Sequence, residues 1–153
     1  MQDQVRKDPE TAGSPTSPDN WSGRRPPGLK DFSRIAEDAF QGLPAEFRER
    51  CADLVISVED WASEDMLDSV GVDDCYGLLG LFEGVGLAQG GGELHSGQRP
   101  NRVWLFRRPI LDYWAGGDDS LGDIISHVLV HEIGHHFGLS DEDMERIEAA
   151  ADL

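Results

Sequence analysis

His131-Glu132-Ile133-Gly134-His135-His136-Phe137-Gly138-Leu139-Ser140-Asp141 is the stretch that decides how this chain is read. On a helix, His131 and His135 are four residues apart, so both imidazoles project from one face about one turn apart. That spacing suits two ligands of one tetrahedral zinc. Glu132 stands beside the first of them, where its carboxylate can take a proton from a zinc-bound water. Asp141 lies ten residues beyond His131, and an unbroken helix would carry it about 15 Å away. Gly138 removes the difficulty, because glycine accepts the left-handed conformation that ends a helix and reverses the chain. With the helix stopped near Phe137 or Gly138, the Asp141 carboxylate folds back as a third ligand. The fourth position stays open, which separates a catalytic zinc from a closed structural one.

The residues before the motif support a buried helix. Ile124, Ile125, Val128, Leu129 and Ile133 recur at helical spacing, with Ser120 as its N-cap. Working toward the N-terminus, Phe32, Ile35, Ala36, Ala39 and Phe40 predict an amphipathic helix ended by Gly42-Leu43-Pro44. A short second helix is expected over Ala45–Cys51 and a strand over Leu54–Val58. Trp61–Asp74 shows no clear period and reads as a loop. Leu78–Glu83 and Arg102–Phe106 read as strands, and Gly80 in the first suggests close approach of another backbone. Gly84–Pro100 reads as a polar turn, and Asp112–Gly122 as the lead into the metal helix. The fold expected is a small α+β domain, with a three- to four-stranded sheet packed on the N-terminal helices and the metal-binding helix.

Composition narrows the partners. At 153 residues the chain is long enough for one domain with a real core. Its formal charge of −17 falls almost wholly in residues 31–153, since residues 1–30 are nearly balanced. Such a surface repels phosphate backbones, so nucleic acid is not an expected partner, and basic or neutral substrates are favoured. No stretch is apolar for eighteen residues and no signal-peptide core is present, so no membrane partner is expected. Cys51 and Cys75 form no Cys-x-x-Cys pair, and a cytoplasmic protein with free thiols is the default. Residues 1–28, rich in Pro, Ser and Gly, are expected to be a disordered tail. Trp21 and Arg24-Arg25-Pro26-Pro27 are read there as solvated leader rather than as a docking motif.

The chain resembles the minimal zincin-like metallopeptidases, small single-domain bacterial proteins with an extended His-Glu-x-x-His-x-x-Gly-x-x-Asp motif. Four elements carry the resemblance: Gly42-Leu43-Pro44, Val58-Glu59-Asp60-Trp61, Leu79-Gly80-Leu81-Phe82-Glu83-Gly84, and the metal motif with His136. It covers about residues 31–148 and implies a zincin fold, His131, His135 and Asp141 as zinc ligands, and Glu132 as catalytic base. The segment Ala62–Tyr76 is longer than the family's usual link, and only twelve residues follow Asp141. For Met144 two readings stand, one beneath the metal and one in an amphipathic terminal turn with Ile147 and Ala151. His136, about 140° round the helix from His131, should face away from the metal and hydrogen-bond nearby backbone. With His95, Tyr113 and Tyr76 it completes the candidates for an oxyanion stabiliser.

The functional expectation is a zinc-dependent metallopeptidase acting on a peptide or unfolded segment, through a zinc-bound water activated by Glu132. The alternatives are a catalytically silent zinc-binding interaction module and a metallohydrolase of non-peptide substrates. An extended peptide is expected to add to a sheet edge, at Leu78–Glu83 or Arg102–Phe106. Oligomeric state is open.

Overall fold

A computed structural model describes residues 20–84 and 101–151. Six α-helices and a three-stranded mixed sheet are present among them, an α+β fold as expected. The helices are α1 (Leu29–Gln41), α2 (Ala45–Glu49), α3 (Glu64–Val70), α4 (Arg107–Ala115), α5 (Leu121–His136) and α6 (Asp141–Ala149). The strands are β1 (Val55–Glu59), β2 (Gly80–Glu83) and β3 (Arg102–Phe106). The disordered tail expected over 1–28 falls largely outside the described residues, and so does the polar turn over most of 84–100. Within residues 20–28 a 3-10 turn covers Trp21–Gly23, and the Pro27 carbonyl accepts a 2.7 Å hydrogen bond from Arg107 Nε.

The sheet order is β1-β3-β2, with β1 parallel and β2 antiparallel to β3. Of the two strands proposed as an edge, β3 is therefore central. The glycine-bearing β2 lies at the edge among the described residues. Gly80 has the close neighbours its sequence position suggested. A Cβ there would lie 2.6 Å from Val128 Cγ1 of α5 and 3.0 Å from the Trp104 carbonyl. The missing side chain lets β2 lie hard against α5.

The main core joins α1, β3, α4 and α5. Phe32 and Ala36 of α1, Leu105 of β3, Ile110 of α4, and Ile125 and Leu129 of α5 are all fully buried. Each large side chain among them contributes about 1.5–3 kcal/mol by leaving water. The helix α5 also turns Val130 and Ile133 to a second cluster with Leu43, Phe47, Cys51 and Met144. A helix that is apolar on more than one face has to be wrapped by the rest of the domain. That wrapping fixes the face carrying His131 and His135 in space.

Two sequence expectations are corrected. Trp61–Asp74 is not a featureless loop, because α3 occupies its centre. Ser63 caps that helix by accepting from Met66 N at 3.2 Å, and Gly71, at φ 68°, ends it. Met66 and Leu67 pack against a cluster of Ala62, Leu81 and Phe106, so a tertiary contact supplies what the weak local period did not show. The second correction concerns Asp112–Gly122, expected as the lead into α5: α4 begins directly after β3 and runs on to Ala115. Pro109 is its third residue, where the missing N–H would have no intrahelical acceptor anyway.

Cys51 is 5 % exposed, and burial pushes its thiol up to about 11. At pH 8 roughly a thousandth of it is thiolate, the reactive form. Thiol titration of the native protein should therefore show one fast cysteine, Cys75, with Cys51 reacting only after denaturation. Equal native rates for the two would contradict the buried position of Cys51.

Candidate metal centre

The ligand-bearing helix is built as its sequence requires. Ser120 Oγ accepts from Asp123 N at 3.1 Å and starts α5 at the expected cap. At the other end Gly138 has φ 71°. Its N–H donates to the His135 carbonyl at 3.1 Å, and Leu139 N–H to the Gly134 carbonyl at 2.9 Å. This paired closure satisfies the last carbonyls and reverses the chain. Ser140 then caps α6, accepting from Asp143 N at 3.1 Å, so that Asp141 is the first residue of the next helix.

The reversal brings the three expected ligands together. Donor atoms of His131, His135 and Asp141 all lie within 4.8 Å of one another, although they are separated by a helix end and a turn. Two imidazoles and a carboxylate are a donor set that suits zinc. The His131 and His135 rings stand nearly perpendicular, with centroids 5.8 Å apart. Burial, aided by the neighbouring His127, holds the His131 imidazole below its ordinary pKa, against the pull of Glu148 and Asp141. A neutral ring is the form that binds metal.

Glu132, next to His131, is half-buried between α5 and β2. Burial raises its carboxyl above the usual range, while His135 and a hydrogen bond from the Phe82 backbone pull it down. A raised value brings a carboxylate toward the working range of a general base. The Phe82 contact also shows that the edge strand β2 lies directly beside Glu132.

His136 faces away from the cluster as expected, but the hydrogen bond expected for it is replaced by stacking. Its ring lies on Phe82 at 3.8 Å between centroids, and Nε2 is buried without a hydrogen-bond partner among the described residues. Burial lowers its pKa, which is consistent with a neutral, apolar-packed ring. Met144 is fully buried beneath α5 against Gly134, where a Cβ would lie 2.5 Å from its Sδ. It sits in α6, so the terminal amphipathic element is a full helix of nine residues.

Of the oxyanion candidates, His95 lies outside the described residues. Tyr76 packs edge-on against Trp61 at 4.9 Å. Tyr113, 57 % exposed, lines a cavity of about 460 Å³ together with Leu79, Asp123, His127 and Glu148.

His127 and Glu148 were not singled out from the sequence, and both stand at the cluster. The His127 ring lies 3.9 Å from that of His131, and Glu148 Oε1 approaches both rings. The spacing His127, His131, His135 carries a signal, since each is one turn from the next. Nothing in the sequence carries one for Glu148, whose position depends on α6 folding back over α5.

A helix with the His-Glu-x-x-His spacing, a glycine break and a returning carboxylate are the parts of a zincin-type centre. The family model for zincin-like metallopeptidases matches residues 51–151, and the chain belongs to that family. No curated protein matches it. No described helix is long and apolar enough to cross a membrane.

Proposed function

We propose that residues 29–153 form a zinc-dependent peptidase domain in which His131, His135 and Asp141 hold the metal and Glu132 is the catalytic base. The observation that carries this reading is the convergence of three donor groups within 4.8 Å across the Gly138 break, beside a half-buried glutamate. When bound, zinc supplies a Lewis acid that polarises the scissile carbonyl and acidifies water. Glu132 accepts a proton from the attacking water and passes it to the leaving amine. The edge of β2 beside Glu132 offers backbone groups to an extended peptide, so the substrate lies along β2 with its carbonyl toward α5. Tyr113, exposed at the neighbouring cavity, is the candidate oxyanion donor among the described residues. The acidic surface favours basic or neutral peptides and disfavours nucleic acid. Two free thiols support a reducing, cytoplasmic setting.

The test joins zinc analysis to cleavage. The wild type should bind one zinc per chain, His131→Ala none, and Asp141→Ala should weaken binding at least about tenfold. The wild type should also cleave an unfolded-peptide library. Because His127 and Glu148 also stand beside His131, zinc affinity that is unchanged when Asp141→Ala is added to His127→Ala removes Asp141 from the ligand set. Stoichiometric zinc without any cleavage returns the domain to a binding module.

A further inference from the structure

His131 faces two sets of partners. One is His135 and Asp141. The other is His127 and Glu148, and donor atoms of His127, His131 and Glu148 also lie within 4.8 Å of one another. In this second set His127 Nδ1 is 2.9 Å and His131 Nε2 3.5 Å from Glu148 Oε1. Zinc bonds of 2.0–2.1 Å at tetrahedral angles place donor atoms about 3.3 Å apart, so these separations bracket those of a ligand shell.

The contacts are not ordinary hydrogen bonds. Glu148 Oε1 is buried and accepts no well-aimed hydrogen bond among the described residues, its nearest partners being the His127 and His131 ring nitrogens. A buried carboxylate oxygen needs a cation beside it, and between two imidazoles that cation is either a ring proton or a metal ion. The His127 and His131 rings are tilted against each other at 3.9 Å between centroids, and one nitrogen of each lies near Glu148 Oε1. The cavity of about 460 Å³ lined by His127 and Glu148 gives the place a solvent route and room for a further ligand.

We propose that His127, His131 and Glu148 form a second position for a zinc-class divalent cation, one turn toward the N-terminus of α5 from the first. The proposal rests on His131 being a metal ligand, as in the function above. Because His131 belongs to both triads, the two positions exclude one another and the chain holds one ion at a time. An ion held by His127 and Glu148 leaves His135 and Asp141 without metal. The second triad is then a holding position that competes with the first.

The experiment removes the first triad and keeps His131. The full-length His135→Ala/Asp141→Ala variant, shown to be folded by circular dichroism, should retain one zinc per chain in equilibrium dialysis. Adding His127→Ala or Glu148→Gln to it should weaken zinc at least about tenfold. Cobalt substitution should give a tetrahedral visible spectrum that differs from wild type and disappears in the triple variants. A folded double variant that binds no zinc overturns the proposal, as does zinc unaffected by His127→Ala and Glu148→Gln. Should the double variant fail to fold, His135→Ala alone is read in the same way. Cleavage is not the readout, so failure of the peptidase reading would leave these zinc measurements unchanged. Conversely, loss of the holding position would leave wild-type cleavage intact.

Discussion

Glu132→Gln is expected to leave one zinc bound and to lower peptide hydrolysis by about 10²–10⁴-fold, the range for removing a general base. The substitution keeps the shape of the side chain and removes only its ability to take a proton. Its position makes the result clean, because Glu132 is not among the residues whose donor atoms converge on either metal position. Its carboxyl is raised by burial, so replacing it with a neutral amide also relieves a desolvation cost. Stability should therefore hold or rise slightly, and a thermal melt beside the kinetics separates lost chemistry from lost fold. Zinc-dependent cleavage that persists at the wild-type rate would remove Glu132 from the mechanism.

Residues that act through local geometry were legible in the sequence. The Ser120 cap, the glycine break at Gly138 and the one-face spacing of His131 and His135 each follow from helix arithmetic, and each stands where the arithmetic puts it. What depends on packing was not legible. The apolar residues Met66 and Leu67 make α3 worthwhile only once Leu81 and Phe106 are beside them. His136 lacks the hydrogen bond expected of it because Phe82, from a strand far away in sequence, covers its ring. Glu148 enters the cluster because α6 folds back onto α5, with Met144 packed closely on Gly134 between the two helices. The histidine spacing pointed to one group of donors, whereas the tertiary fold sets two such groups around His131.

The contact between Gly134 and Met144 is expected to govern how closely Asp141 and Glu148 approach His131, and overfilling it is the test. A Cβ at Gly134 would lie 2.5 Å from Met144 Sδ and 2.8 Å from its Cγ. An alanine there is a poor probe: glycine costs a helix interior about 1 kcal/mol, and a flexible methionine can yield to one methyl group. Valine adds two further carbons to a fully buried contact and recovers less helix propensity. Gly134→Val should destabilise the fold by about 1–3 kcal/mol through overpacking. Because Asp141 and Glu148 both ride on α6, it should also weaken zinc. Met144→Ala leaves a cavity instead, at a cost of about 2–5 kcal/mol. If one contact is responsible, the valine fills the space the methionine vacates. Chemical denaturation of Gly134→Val/Met144→Ala should then show a loss smaller than the sum of the single losses by at least about 0.5 kcal/mol. Strict additivity would mean that the two residues act independently. In that case the seating of α6, and with it the approach of Asp141 and Glu148 to His131, would have to come from other members of the same cluster, Leu139 and Ile147 among them.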